Sequence, residues 1–314
     1  MASRFAQQNY YSNRSNASNN RAASASRIPN DEPTPPGGTK LKVLPIQIML
    51  DVSPSMHEND RIQEQNIAVE TFLKSISRND KIRRVAQISF CLFTRGVKYT
   101  TDFMPLTDLR FPASDYLAET CPRTYEYTEE GKHIKYVINN PRFRALQDDG
   151  TDIPDAVNTA LDNIQSYVRK LNAAGSQHYV PFVVFTSDGN PDLNRYEAAD
   201  REDYKRRTQE AARRMNAVCN RACDINEMII PFFIGIGKAE EKYLRSFCEE
   251  FQEGVLKARH EGEELVDGVY LTFSNIARAV ATGIARSITL TQTSRMLLDT
   301  IGAYILLALN PVKR

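Results

Sequence analysis

The run VLPIQIMLDVSPSM at 43–56 decides how this chain is read. Residues 43–50 are short and almost wholly apolar, the pattern of a parallel strand covered on both faces. The run then breaks into Asp51, Ser53 and Ser55. A turn at this point aims a carboxylate and two hydroxyls toward one spot while the residues between them face elsewhere. All three are oxygen donors, with no imidazole or thiolate, and such a set suits Mg²⁺ or Mn²⁺ rather than zinc.

Outward from this strand the pattern alternates. A helix is expected over 62–76, where Ile62, Ile67, Val69, Phe72, Leu73 and Ile76 fall at helical spacing. VAQISFCLF at 85–93 reads as a second strand, and 97–106 returns beside it across the turn at Arg95-Gly96 as an antiparallel edge. The stretch 110–149 holds Pro112, Cys121-Pro122, several tyrosines and many charges, and is expected to be a long, irregular insertion at one rim of the sheet. Helical spacing resumes over 153–171, with Ile153, Ala156, Val157, Ala160, Leu161, Ile164 and Val168 as the buried stripe. VPFVVFT at 180–186 is the next buried strand, ending in Ser187-Asp188-Gly189. A charged helix over 195–223, a strand over 228–236, a helix over 240–251, a strand over 269–273 and a helix over 275–289 complete the order. Strands separated by helices imply an α/β fold: a doubly wound, mostly parallel central sheet with helices on both faces and one antiparallel edge strand.

Residues 1–40 are rich in Asn, Ser, Ala, Pro and Gly, carry too little apolar surface to offset the entropy of ordering, and are expected to be a disordered arm. The folded domain is expected at 41–290 and an apolar extension at 291–314. Within that extension MLLDTIGAYILLAL at 296–309 is shorter than the ~20 apolar residues of a membrane helix. No membrane insertion is expected, and the segment reads as buried or partner-facing. The first twenty residues show no apolar stretch of a secretory signal. Lys plus Arg number 40 against 39 Asp plus Glu, which argues against binding nucleic acid through the whole protein. The 5 scattered cysteines do not make a disulfide framework, and a reducing cytoplasm is the expected location. Cys219 and Cys223, four apart, are expected to be small core residues rather than a metal pair.

Two later segments offer oxygen at equivalent places. Gly150-Thr151 precedes the helix at 153, and Asp188 follows the strand at 180–186. In an open α/β sheet, ligands gather at the carboxyl ends of strands where strand order reverses, so the three segments are expected to converge there.

DVSPSM at 51–56, GTDIPDAVNTAL at 150–161 and FTSDGNPD at 185–192 together resemble the metal-ion-dependent adhesion site of von Willebrand factor type A (VWA) domains. The resemblance covers about residues 43–290, and LPIQIMLDVSPSM is similar to the bacterial, tellurium-resistance-type members. It implies that Ser53, Ser55 and Thr151 supply hydroxyl ligands, and that Asp51 and Asp188 bind the ion directly or through water. One coordination position then stays free for an Asp or Glu of another protein. It further implies a place in a bacterial stress-response or defence assembly. The family carries Gly between the two serines where this chain has Pro54. Proline fixes φ near −65° and has no amide hydrogen, so the loop must accommodate both.

The functions weighed are a metal-dependent protein-binding module, a metal-assisted phosphohydrolase using Asp51, and an oligomer subunit that self-associates through 296–309 around a vestigial metal site. The hydrolase reading lacks a second Asp two residues after Asp51, where Ser53 stands, and no general base accompanies the site, so no enzyme is expected. His57-Glu58 reads as solvated loop, and the cluster at 81–84 as solvated surface. Asp148, Asp149, Asp152 and Asp155 crowd Thr151. Two readings stand, a raised negative potential that strengthens cation binding, or Asp149 or Asp152 acting at the helix N-terminus, and the structural one is expected.

Overall fold

Every side chain of the first strand is buried, which requires neighbours at both edges and cover on both faces. The computed structural model describes residues 42–129, 131–146, 150–188, 197–219, 227–236, 241–247 and 255–258. In chain order its strands are β1 (Leu44–Asp51), β2 (Ala86–Phe93), β3 (Val97–Thr100), β4 (Met104–Pro105), β5 (Leu117–Glu129), β6 (Lys132–Phe143), β7 (Phe182–Ser187), β8 (Ile230–Ile236) and β9 (Val255–Ala258). The helices are α1 (Arg61–Ser77), α2 (Asp80–Val85), α3 (Ile153–Ala173), α4 (Ala198–Cys219) and α5 (Glu241–Arg245).

Among the described residues the main sheet runs in the order β3-β2-β1-β7-β8-β9, with β4 also pairing with β2. β2, β1, β7, β8 and β9 are parallel, and β3 and β4 run antiparallel on β2. This is a doubly wound, mostly parallel, Rossmann-like α/β sheet with an antiparallel edge. The chain winds from β1 to β2 in one direction and returns to β7 on the other side of β1. The switch point therefore lies between the carboxyl ends of β1 and β7. Beneath it, Phe93, Phe185 and Phe233 pack ring against ring, with centroids 4.9 and 5.1 Å apart, and Phe247 stacks on Phe233.

The apolar stripes form as their spacing demands. In α3, Ile153, Ala156, Val157, Ala160, Leu161, Ile164 and Val168 are all buried. In α1 the same holds for Ile62, Val69, Phe72, Leu73 and Ile76, but Ile67 is 46% exposed and does not belong to the buried face.

The segment 110–149 departs from expectation. Instead of an irregular insertion, it contains a long antiparallel hairpin, β5–β6, forming a second two-stranded sheet. Gly131, at φ +76, closes its two-residue turn. An isolated hairpin is marginal in water, and this one is held against α1 and α2. Asn66 donates to Phe143 O and accepts from Phe143 N, both at 2.8 Å. Glu70 pairs with Arg142 at 2.5 Å and Arg123 at 3.2 Å. Ser77 Oγ lies 2.8 Å from the Tyr136 hydroxyl.

The basic cluster at 81–84 is likewise corrected in part. Ile82 and Val85 are buried, and Arg83 lies over the Tyr127 and Tyr136 rings at 5.6 and 5.1 Å while pairing with Asp80. Arg84 remains exposed. α2 is capped by Asn79, whose side chain accepts from Ile82 N, a turn the sequence reading did not separate from its surroundings. The expected arm at 1–40, the elements at 269–273 and 275–289, Cys223, Asp148, Asp149 and the extension at 291–314 lie outside the described residues. Cys91 and Cys121 are free thiols, and Cys219 packs in the core as expected. Among the described residues no helix is long and apolar enough to cross a membrane.

Candidate metal centre

Parallel pairing aligns Leu50 of β1 with Thr186 of β7, so the two strands end side by side and release Asp51 and Asp188 at the switch point. Asp51 is fully buried and Asp188 nearly so. The Asp51 carboxylate is held from both sides. Its Oδ1 accepts the Ser53 amide at 2.9 Å and its Oδ2 accepts the Ser187 hydroxyl at 2.8 Å.

The chain then enters a 3-10 turn, Pro54–Asp60, with Pro54 at its start. Ser53 stands at φ −63, ψ 163, the extended conformation a residue before proline prefers. Pro54 occupies a position whose amide hydrogen has no partner in such a turn, and Met56 N closes it onto Ser53 O at 3.0 Å. The loop thus accommodates Pro54 without losing a bond. It sets Ser53 Oγ 3.0 Å from Ser55 Oγ, and Ser55 Oγ donates to Asp188 Oδ1 at 2.9 Å. Asp51, Ser53, Ser55 and Asp188 therefore form one connected cluster drawn from two strands.

Thr151 is buried but shares no hydrogen bond with these four. Its segment is tied to the end of β2 instead, where the Asp152 amide donates to Thr94 O at 2.7 Å, and Gly150 at φ +84 turns the chain into it. The neighbouring acids have structural tasks. Asp152 caps α3 by accepting from Asp155 N and takes two bonds from Arg207, while Asp155 accepts from Val97 N. His57 and Glu58 are exposed.

Three residues at the site were not singled out from sequence. Ser187 grips Asp51. Gln65, buried on α1, donates to Asp51 O at 3.0 Å and accepts from the Thr186 hydroxyl at 2.7 Å, bridging the ends of β1 and β7. Arg61, four residues earlier on the same helix, donates to Asp188 Oδ2 at 2.8 Å from a nearly buried position. The usable signal was two polar residues at i and i+4 in the first turns after the motif, which places them on one face of α1.

No family model and no curated protein matches the sequence. Solved structures similar to it include proximal thread matrix protein 1 from the mussel byssus, at 14% identity and a TM-score of 0.42, covering 79% of this chain and 49% of that one. The PilB minor pilin from Streptococcus sanguinis gives 12% identity and a TM-score of 0.44, covering 81% of this chain and 65% of that one. The vWF domain of the type V pili tip protein Mfa5 from Porphyromonas gingivalis gives 10% and 0.40, covering 80% and 97%. This chain spans about half the length of the mussel protein. At these identities and TM-scores no function passes from those proteins to this one.

The donor set is the test of whether a cation fits. Two carboxylates and two hydroxyls meet, all hard oxygen, as Mg²⁺ and Mn²⁺ prefer. Among the described residues no cluster of three or more His, Cys, Asp or Glu offers a softer or more acidic alternative. Burial pushes the Asp51 carboxyl up to about 7, the charge of Asp188 adds to the rise, and the bonds from Ser53 and Ser187 oppose it. Asp188 is also raised by burial, against the Ser55 hydroxyl and Arg61. Two buried carboxylates that resist ionising together are an electrostatic deficit that a divalent cation relieves.

Proposed function

We propose that this protein is a VWA-type, metal-dependent protein-interaction module. In this reading Asp51, Ser53, Ser55, Thr151 and Asp188 hold one divalent cation, Mg²⁺ or Mn²⁺. A single observation carries it: the cluster in which Ser55 links Ser53 to Asp188 at the switch point, beside the buried Asp51. When bound, the ion supplies an electrophilic position that accepts an Asp or Glu carboxylate of a partner protein.

The chain's own residues do the rest. Ser53 and Ser187 orient Asp51, Ser55 orients Asp188, and the hydroxyls carry no charge, so the shell leaves the cation short of negative ligands. The resemblance of LPIQIMLDVSPSM to tellurium-resistance-type proteins supports a bacterial stress-response or defence assembly, and the sparse cysteines support the cytoplasm. Binding is favoured over catalysis because Ser53 stands where a phosphohydrolase needs its second acid.

Thermal unfolding of EDTA-treated protein, titrated with Mg²⁺ or Mn²⁺, tests the cation site. A ligand bound only by the native state stabilises it by about 2.7 kcal/mol at a hundredfold excess over Kd. The wild type should gain this shift, and Asp51→Ala and Asp188→Ala should lose it. Capture on an immobilised Glu-containing peptide should then be reversed by EDTA. An unchanged transition at millimolar Mg²⁺ and Mn²⁺ would remove the metal from this reading.

A further inference from the structure

Arg61 places a permanent positive charge inside the proposed cation shell. Its side chain is 8% exposed and that of Asp188 is 1% exposed, whereas Glu58, 3.6 Å from the same guanidinium nitrogen, is 68% exposed. Asp188 is therefore the buried counter-charge of Arg61. The approach is built into the backbone. Asn59 and Asp60 adopt φ of +50 and +56, a left-handed pair that only residues such as Asn and Asp tolerate readily. They turn the chain so that α1 begins with Arg61 directed back at the end of β7. Asp188 thus has both oxygens in use, Oδ1 by Ser55 and Oδ2 by Arg61.

The charge balance has a consequence for what binds. With both carboxylates ionised, as a bound cation requires, the buried charged side chains described at the site, Asp51, Asp188 and Arg61, sum to one net negative charge, with Glu58 exposed outside them. A divalent ion converts this to one net positive charge, which a single carboxylate from outside cancels. Without Arg61 the ion alone would neutralise the shell, and an incoming carboxylate would carry it back to negative in a buried setting where uncompensated charge is costly.

We propose that Arg61 is the resident counter-cation of the site: it pairs with Asp188 in the metal-free protein, weakens divalent-cation binding, and makes that binding depend on a carboxylate ligand. The proposal rests on the metal-binding reading above. Cation and carboxylate then bind with positive coupling, and linkage makes the coupling reciprocal.

The test is Mn²⁺ binding to the full chain, read from the electron paramagnetic resonance signal of free Mn²⁺, with and without acetate as the carboxylate probe. Arg61→Gln should bind Mn²⁺ at least about tenfold more tightly than wild type, because a nearby like charge has gone. Arg61→Lys, which keeps the charge, should stay near wild type. Acetate should tighten Mn²⁺ binding in wild type and in Arg61→Lys, and much less in Arg61→Gln. Equal or weaker binding by Arg61→Gln, with wild type still binding, overturns the role of Arg61 and leaves the metal site standing. Absence of binding in every variant removes the metal site itself and this inference with it. Should Arg61→Gln fail to fold, the wild type answers alone. The Arg61 side-chain Nε resonance of ¹⁵N-labelled protein should shift as Mg²⁺ saturates the site. An unmoved resonance at saturation overturns the proposal.

Discussion

Ser187 Oγ donates to Asp51 Oδ2 at 2.8 Å, so the last residue of β7 holds the carboxylate that ends β1. This bond joins two strands that meet only because the sheet reverses its order between them. Removing the hydroxyl leaves one buried carboxylate oxygen without its donor. Ser187→Ala should lower stability in EDTA by about 1–2 kcal/mol, read from urea unfolding, and weaken Mn²⁺ binding. A midpoint identical to wild type would mean that the bond does not hold the site.

Gln65 joins the Asp51 carbonyl to the Thr186 hydroxyl from a fully enclosed position. Gln65→Leu fills similar space but removes the donor to Asp51 O and leaves the Thr186 hydroxyl only its longer, 3.3 Å bond to Met49 O. The expected loss is about 2–3 kcal/mol, with a lowered Tm and weakened divalent-ion binding, since the two strand ends are no longer tied. Retention of wild-type stability would show that the strand ends are positioned by the backbone ladder alone.

Gln47 presents the opposite case. It is buried in the middle of β1, on the same strand face as Met49 and Asp51, and neither amide atom has a hydrogen-bond partner among the described residues. Methionine has nearly the same shape without the desolvation cost. Gln47→Met should therefore raise stability by about 1–2 kcal/mol, seen as a higher urea midpoint at unchanged slope. A fall would reveal that the amide serves a purpose the packing does not account for.

The hairpin depends on charges from outside it. Glu70 of α1 holds Arg123 and Arg142, and Arg83 of α2 lies on the Tyr127 and Tyr136 rings. Glu70→Ala and Arg83→Ala should each weaken its docking by about 1 kcal/mol. Amide exchange across β5 and β6 should then quicken about fivefold, while β1 and β7 stay protected. Uniform acceleration through both sheets would show instead that the hairpin opens only with the whole protein.

Much of this architecture was legible before any tertiary contact was known. β1, β2, β7 and β8 announce themselves as apolar runs, and α1, α3 and α4 as helical spacing or long charged helix, because burial on both faces and 3.6-residue periodicity are written locally. The DxSxS turn, Gly150-Thr151 and the Asp188 strand end were likewise each visible in sequence. The hairpin was harder. Tyr125, Tyr127, Ile134, Tyr136 and Ile138 do alternate around Gly131, but Pro122 and Pro141 sit inside β5 and β6 and argue against strands. What overrides them is packing on α1 and α2, which no local pattern reports.

The same limit applied at the site. By itself the sequence determined which elements form and which oxygen-bearing residues end them, since those properties depend on neighbours a few residues away. Only the tertiary structure decided that Asp51 and Asp188 share one enclosure, that Pro54 fits the turn between the serines, and that Thr151 is buried without bonding to them. It alone turned Arg61 and Gln65 from ordinary polar helix residues into buried ones. Their burial depends on β7 lying beside β1, and Arg61 reaches Asp188 across 127 residues of chain. A charge's solvation is set by what folds over it, and that is a property of the assembled sheet.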